Sequence, residues 1–283
     1  MANQVFIVGH KNPDNDSIAA AVSYAYLKNA LEAKKAEPEA EYVACCLGPL
    51  PQESATILEQ VGLPAPKLIE KVGEGDKVIL VDHNESTQMV DGIADAEIVE
   101  VVDHHRIAGD VVTGNPILYL NIPVGSTATI ISKLYEQLNV EVTPAIATVL
   151  LSAIMTDTVI TKSPTCTDYD LVQADKLGAI IGKKPTEFGL EVFKMRGGDN
   201  DLSVEELCTH DSKEFKKGDE VYIVAQHETV TLDVAMEREA ESREFLKAKV
   251  AENGYKFALL LITDIFNEGS KFICEGDVAP VSE

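Results

Sequence analysis

Acidic and histidine side chains directly follow three apolar segments of this sequence. His10 follows VFIVG, Asp82 follows VILV, and the stretch IVEVVDHHR places Asp103, His104 and His105 at the end of a third apolar run. A hydrophobic core does not tolerate such groups well, because a buried charge without a partner is strongly unfavourable. These residues are therefore candidates for a site that binds an ion or carries out a reaction.

Further carboxylates come from two other places in the chain. The residues after His10 read KNPDNDS, which puts Asp14 and Asp16 in a loop before a predicted helix, and Asp157 ends the apolar stretch SAIMTD. Taken singly, each has an ordinary interpretation, since aspartates build turns and cap helices. A lone histidine at a strand end is also most often structural. The functional interpretation therefore depends on whether these residues meet in space.

The predicted order of strands and helices brings them together. The runs QVFIV, EYVACCL, KVILV and EIVEVV alternate with helical patterns, which is the rhythm of a parallel sheet with crossover helices. The runs lack polar alternation, as expected of strands that are buried on both faces. Open parallel sheets bind ligands at the carboxyl ends of their strands. The acids and histidines should therefore converge at one edge of the sheet.

The sequence predicts an α/β protein with two domains. Helices that wrap a mainly parallel sheet are predicted at about 16–36, 53–61, 126–138, 144–155 and 168–181. The N-terminal domain should cover 1–187 and a smaller C-terminal α/β domain 197–283, joined by a linker at 188–196 where the periodicity is lost. In the second domain, EVYIVAQ and FALLLITDI are predicted strands on either side of a charged helix at about 235–253.

Acids and imidazoles gathered without basic partners would repel one another unless cations lie among them. Mixed carboxylate and imidazole ligands suit manganese, cobalt, iron or zinc, whereas an all-oxygen set favours magnesium or calcium. Four carboxylates and two imidazoles are enough for two ions that share one bridging acid and leave a position open for water. The lack of a thiolate weighs against a structural zinc site.

Composition narrows the choice of partners. Acidic residues outnumber lysine and arginine by 47 to 24, and the net charge of −23 is poorly suited to binding nucleic acid. Five scattered cysteines without CxxC spacing favour a reducing cytoplasm, and no apolar run reaches the 18 residues of a membrane span. The turn GHKNPD after the first strand lacks the glycine pattern of a dinucleotide site.

Five segments, GHKNPDNDS, VDHNE, VVDHHR, PVGSTAT and SPTCTD, resemble the manganese-dependent (family II) inorganic pyrophosphatases of the DHH phosphoesterase superfamily and follow the family's order. The resemblance runs from Val5 to about Asp170 and continues more faintly through HDSKEF and LLLITDI. It implies a metal-binding catalytic domain of the DHH type, a C-terminal domain that closes over pyrophosphate, and a homodimer.

The resemblance also implies roles for single residues. Asp82 would bridge two metals in a set of six ligands: His10, Asp14, Asp16, Asp82, His104 and Asp157. The expected catalytic set consists of His105, Asp103 and Lys213. Asp103 would orient an imidazole by accepting its other N–H. His105 would face the substrate as a charged or proton-donating partner, and Lys213 in HDSKEF would bind substrate, although by itself it is an ordinary surface lysine.

The implied reaction is hydrolysis of inorganic pyrophosphate to two phosphates. Two divalent ions per subunit, Mn²⁺ with Co²⁺ as a possible substitute, would lower the pKa of a shared water from about 15.7 toward 7 for in-line attack on phosphorus. Mg²⁺ bound with the substrate would help to neutralise its charge.

One family signature is not found in the sequence. The chain reads GDVAPVSE at its end and does not contain the Ser-Arg-Lys-Lys-Gln motif whose basic residues hold the leaving phosphate in the family. Two alternative functions therefore stay open from sequence alone. One is a related DHH phosphoesterase acting on short oligonucleotides or cyclic dinucleotides, and the other is a non-catalytic metal-binding relative.

Overall fold

The computed structural model describes residues 3–196, 202–209, 211–218, 220–230, 232–264 and 269–277. The chain divides into two compact units, Met1–Val192 and Phe193–Glu283. Two parts of the predicted elements, residue 265 of FALLLITDI and residues 278–283 of the final stretch, lie outside the described residues. Each unit has its own sheet and its own hydrophobic core.

The first unit is built on a six-stranded sheet in which all neighbouring strands are parallel. Its strands, in chain order, are β1 (Asn3–Lys11), β2 (Ala40–Leu47), β3 (Lys67–Leu68), β4 (Lys77–Val81), β5 (Glu97–Asp103) and β6 (Leu118–Asn121). Their spatial order is β3-β2-β1-β4-β5-β6. Ile7, Val8, Ile79 and Leu80 are fully buried, which explains the continuous apolar runs. The expected parallel sheet is confirmed.

Helices cover one face of this sheet and shorter segments cover the other. The helices are α1 (Asn15–Glu32), α2 (Gln52–Gln60), α3 (Thr127–Gln137), α4 (Pro144–Asp157), α5 (Asp168–Ile181) and α6 (Pro185–Met195). On the other face, Val72, Met89 and Val90 pack against Val8 and Leu80. Among the described residues, none of the helices has the length and apolar composition needed to span a bilayer.

The segment 188–196, which we expected to be an irregular linker, is helical as far as Met195. Phe188 and Val192 lie four residues apart and are both buried. That spacing puts them on one face of a helix. The glycines, proline and charges around them obscure this short apolar pattern in the sequence, and the boundary between the two units falls within α6 rather than in a loop.

The second unit has a four-stranded sheet with the spatial order β10-β9-β8-β7. Its strands are β7 (Asp211–Lys217), β8 (Glu220–Thr229), β9 (Phe257–Asp264) and β10 (Gly269–Gly276), and its helices are α7 (Val204–Thr209), α8 (Leu232–Glu237) and α9 (Glu239–Asn253). β8 and β9 are parallel, while the outer pairs are antiparallel. The charged helix predicted at 235–253 is thus two helices that meet at Arg238.

Candidate metal centre

The carboxyl ends of β1, β4 and β5 lie side by side, because β4 pairs with both of the other strands. The chain builds the sheet outward from β1 in one direction and then from β4 in the other. Open parallel sheets bind ligands at such a reversal of strand order. His10, Asp82 and His104 stand at the ends of these three strands. The structure therefore brings the sequence candidates to one edge of the sheet.

The candidate ligands form three overlapping groups, each with its ligand atoms within 4.8 Å of one another. The groups are His10 with Asp14 and Asp82, Asp82 with His104 and His105, and Asp16 with His104 and Asp157. Asp82 lies between two imidazoles: its Oδ2 is 3.5 Å from Nε2 of His10, and its Oδ1 is 3.4 Å from Nε2 of His104. A carboxylate that bridges two cations would need this position. We call the six residues His10, Asp14, Asp16, Asp82, His104 and Asp157 the ligand cluster.

Backbone carbonyl groups fix the orientation of two imidazoles in the ligand cluster. Nδ1 of His10 lies 2.8 Å from the carbonyl oxygen of Lys11, and Nδ1 of His104 lies 2.9 Å from that of Val124. A carbonyl oxygen only accepts, so in the neutral rings Nδ1 carries the proton and Nε2 keeps a free lone pair. Metal-binding histidines are held in this way.

Two buried atoms of the ligand cluster have no hydrogen-bond partner: Oδ2 of Asp82 and Nε2 of His104. Buried polar atoms are normally satisfied, and an orphan pair of this kind is explained by an ion. Burial and the nearby carboxylates of Asp16 and Asp14 raise the pKa of Asp82 well above its usual range. Burial and neighbouring acids likewise raise the pKa of Asp157. The residues present therefore fit divalent cations.

Residues 124–129, which we call the backing segment, donate hydrogen bonds to two carboxylates of the ligand cluster, those of Asp16 and Asp82. Asp16 accepts hydrogen bonds from Ser126 Oγ at 2.8 Å and from the backbone N–H groups of Thr127 at 2.6 Å and Ala128 at 3.0 Å. Thr127 Oγ1 donates to Asp82 at 2.8 Å. Because these donors begin α3, the positive end of the helix dipole also faces Asp16.

Asp103 is fully buried and orients the neighbouring histidines. It accepts from the backbone N–H groups of His104 and His105 and from the His105 ring, whose Nδ1 is 2.9 Å away. Burial alone would raise the pKa of Asp103, but the hydrogen bonds from His105 and Asn84 lower it to about 2. The His105 side chain is half exposed. Asp103 thus orients the ring of His105. The ring of His104 is oriented instead by the backbone carbonyl of Val124, which faces its Nδ1.

Sequence reasoning missed two buried asparagines. Asn84 donates to Asp103 at 2.5 Å and accepts from the N–H of Ala108. Asn15, between the two ligand aspartates, donates to Ser152 and Thr156 of α4. It therefore joins the start of α1 to the helix that ends in Asp157. A single sequence does not show that an asparagine in a polar segment will be buried and will make such long-range hydrogen bonds.

The backbone around the ligand cluster is strained at two places. Asp82 has φ 63°, and Val159, Ile160 and Thr161, which follow Asp157 closely, have φ between 48° and 68°. Positive φ is unusual for β-branched residues and costs of order 1–3 kcal/mol per residue. The Ile160 side chain is buried and holds this left-handed turn in place. Strain of this kind is concentrated where a fold positions functional groups.

Lys213 is on β7 in the second unit. Its side chain is exposed, and its cross-strand neighbour is Val224. Among the described residues of that unit, no feature marks Lys213 as a binding residue. Its expected role in substrate binding rests on the sequence resemblance.

Comparison with known proteins places the chain in a family. Residues 4–154 match the model of the DHH family, N-terminal domain, and residues 190–282 match the DHHA2 domain. The chain is 39% identical over 277 residues to the manganese-dependent inorganic pyrophosphatase of Bacillus subtilis, covering 98% of this chain and 87% of that protein. Identity to the enzyme of the same name from Methanothrix thermoacetophila is 39% over 280 residues, covering 99% and 87%.

A solved structure agrees with these relatives. The crystal structure of a Methanococcus jannaschii protein assigned to the family II inorganic pyrophosphatases matches with a TM-score of 0.67 at 34% identity, covering 98% of this chain and 90% of that one. As the five sequence segments predicted, the chain belongs to the manganese-dependent (family II) inorganic pyrophosphatases of the DHH family.

Proposed function

We propose that this protein hydrolyses inorganic pyrophosphate to two phosphates with a pair of divalent cations held by the ligand cluster. The observation that carries the proposal is the unpartnered, buried pair of Asp82 Oδ2 and His104 Nε2 at the carboxyl edge of the sheet. Membership of the pyrophosphatase family supports the substrate.

The ligand cluster divides naturally between two cations that share Asp82. One cation would be held by His10, Asp14 and Asp82, which form one of the close groups. The other would be held by Asp82 and by the group of Asp16, His104 and Asp157. Imidazole mixed with carboxylate suits Mn²⁺, with Co²⁺ as a substitute. Each subunit would therefore hold two ions.

The bound cations supply Lewis acidity, which lowers the pKa of an attacking water and offsets the negative charge of the substrate. The protein itself contributes positioning and charge. The backing segment fixes Asp16 and Asp82. Asp103 accepts from Nδ1 of His105, and in its imidazolium form that ring can donate a proton or hydrogen bond from Nε2 to a phosphate oxygen. Lys213 and substrate-bound Mg²⁺ neutralise charge that grows on the leaving phosphate.

A hydrolysis assay on three substrates tests the proposal, with released phosphate measured for pyrophosphate and nucleotide products separated by chromatography for the other two. Pyrophosphate, a short oligonucleotide and a cyclic dinucleotide are each supplied to the chelator-treated protein before and after Mn²⁺ is restored. We expect phosphate from pyrophosphate alone, and only with Mn²⁺. Hydrolysis of either nucleotide substrate in preference would identify the related phosphoesterase instead. Mn²⁺ binding without any hydrolysis would identify a non-catalytic relative.

Three further expectations belong to the same proposal. We expect no nucleic-acid partner, because the net charge is −23. A reducing cytoplasmic location fits the cysteines, all five of which are free thiols. A homodimer is expected from the family resemblance. Measuring the mass of the purified protein by light scattering, with and without Mn²⁺, tests the assembly directly.

A further inference from the structure

Two of the sequence segments meet at one buried side chain. PVGSTAT contains the backing segment, and SPTCTD ends in Asp168, the first residue of α5, two residues before Asp170. The structure joins these segments through the side chain of Asp170, which is completely buried.

Asp170 accepts hydrogen bonds from both segments. Its Oδ2 accepts from the backbone N–H of Thr167 at 2.7 Å, from Thr167 Oγ1 at 2.6 Å, and from the N–H of Gly125 at 2.8 Å. Its Oδ1 accepts from Thr129 Oγ1 at 2.6 Å. The two bonds from Thr167 are those of an ordinary helix cap. The bonds from Gly125 and Thr129 contribute nothing to that cap, and they hold the backing segment near each of its ends.

The backing segment contacts three members of the ligand cluster. The carbonyl of Val124 faces Nδ1 of His104, and residues 126–128 donate three hydrogen bonds to Asp16. Thr127 also donates to Asp82. A displacement of this segment would therefore disturb ligands of both proposed cations at once.

The space around Gly125 leaves little freedom for such a displacement. A Cβ atom at this position would lie 2.6 Å from Cγ2 of Thr158 and 2.9 Å from Oδ2 of Asp170. Thr158 directly follows the ligand Asp157. The backing segment is thus confined between Asp170 on one side and the end of α4 on another.

We infer that Asp170 is a positioning residue of the metal centre, which sets the affinity for the cations by anchoring the backing segment at Gly125 and Thr129. The inference rests on the proposed function, because it assumes that the ligand cluster binds Mn²⁺. It assigns Asp170 no contact with metal or substrate. Replacing groups that orient metal ligands typically weakens metal affinity by 10–100-fold.

Four variants test this inference, with the affinity for Mn²⁺ measured from the electron paramagnetic resonance signal of the free ion. Asp170→Leu removes every hydrogen bond to the backing segment and should weaken Mn²⁺ binding by about tenfold or more. Asp170→Asn should stay within about threefold of the native affinity. The amide oxygen can still accept from Gly125 and Thr167, while the amide N–H₂ can donate to Thr129.

Thr129→Val and Ser132→Ala form a matched pair on α3. Thr129→Val removes one bond to Asp170 and should weaken Mn²⁺ binding several-fold. Ser132 lies one turn further along the helix, where it donates to Gln173 of α5 at 2.8 Å and is equally buried. Ser132→Ala therefore removes a hydrogen bond between the same two helices, α3 and α5, at a position away from the ligand cluster. It should leave the affinity for Mn²⁺ unchanged. If Asp170→Leu does not fold, this pair decides the question.

Thermal unfolding of each variant shows whether a weaker affinity for Mn²⁺ is accompanied by a loss of stability. The inference is overturned if folded Asp170→Leu binds Mn²⁺ like the native protein, or if Ser132→Ala weakens binding as much as Thr129→Val. A native protein that binds no Mn²⁺ would instead contradict the proposed function. A native protein that binds Mn²⁺ and hydrolyses pyrophosphate, with variants of unchanged affinity, would contradict this inference alone.

Discussion

The acidic residues compared at the two ends of the parallel sheet have different ion-pair partners. Toward the amino ends, Glu100 pairs with Lys28 at 2.5 Å and Glu97 with Lys77 at 3.8 Å. At the carboxyl ends, among the described residues, the ion pairs of Asp14, Asp82 and Asp157 all have histidine as the partner. Glu97 and Glu100 are thus neutralised by lysines of the chain, whereas these three acids of the ligand cluster are left for cations from solution.

Replacing Asp82 should have the largest effect, because it removes the carboxylate shared by both proposed cations. We expect Asp82→Asn to lose stoichiometric Mn²⁺ binding. Lewis-acid stabilisation is worth several kcal/mol, so hydrolysis should fall by about 10³-fold or more. Metal analysis and phosphate release measure the two effects. Asp91→Asn is the control, since Asp91 is exposed and paired with Lys11. Normal Mn²⁺ content in Asp82→Asn would remove the basis for the contrast between the two ends.

Adjacent histidines allow a sharper test at the carboxyl end. His105→Gln should lower kcat by about 10²-fold, as expected when a proton donor is lost, while the affinity for Mn²⁺ stays within about threefold. His104→Gln should lower both, because Nε2 of His104 belongs to the ligand cluster. Equilibrium Mn²⁺ binding and steady-state rates distinguish the two. Equal loss of Mn²⁺ affinity in both variants would show that His105 is also a ligand.

The metal-free protein should become more stable as the pH falls from neutral toward the ordinary aspartate pKa near 3.8. Asp82 and Asp157 have raised pKa values, so the folded state takes up protons before the unfolded state does, and stability is lost as pH rises. Urea unfolding with a chelator across this range measures the trend. Bound Mn²⁺ should remove it and add about 2.7 kcal/mol per site at 100 times Kd. A metal-free stability that does not change across this range would contradict the prediction.

Further acidification should act in the opposite direction through Asp103. Its pKa of about 2 lies below the usual value near 3.8, so its contribution is present at pH 5 and is lost as pH falls from about 4 toward 2. Metal-free unfolding should therefore show maximal stability at mildly acidic pH. The variant Asp103→Asn should be less stable than the native protein at pH 5 and above, and its stability should fall less steeply between about pH 4 and 2.

The smallest effect on function is expected at the amino end. Lys28→Met breaks the partly buried pair with Glu100 and should lower the free energy of unfolding by about 1–3 kcal/mol. Mn²⁺ affinity and kcat should not change. Urea unfolding and Mn²⁺ titration of the same preparation measure both quantities. Weakened Mn²⁺ binding in this variant would mean that the two ends of the sheet are energetically linked.

The ligands that follow apolar runs could be predicted from sequence, whereas the residues that support them could not. β1, β4 and β5 are apolar runs, and His10, Asp82 and His104 follow them directly, so the convergence of these ligands depends only on parallel pairing. The ligand Asp157 was found because an acid ends an apolar helix. By contrast, the contacts of Asn15, Asn84 and Asp170 are long-range, and their local sequence indicates no more than turns and caps.

Boundaries in the second unit were harder to predict for a different physical reason. The single charged helix expected at 235–253 is interrupted at Arg238, and no glycine or proline marks the interruption. The edge strands β7 and β10 were not predicted. Their polar composition is typical of exposed edges, and it lacks the β-branched runs that identify central strands.

The central place of β1 in its sheet has a consequence for how the protein is made. β1 pairs with β4, which begins only at Lys77, and the last residue of the ligand cluster along the sequence is Asp157. Such non-local pairing delays folding. The group of His10, Asp14 and Asp82 is complete once residue 82 has been synthesised. The group that contains Asp157 is complete only when most of the first unit has been made, so the two proposed cation sites do not become available together.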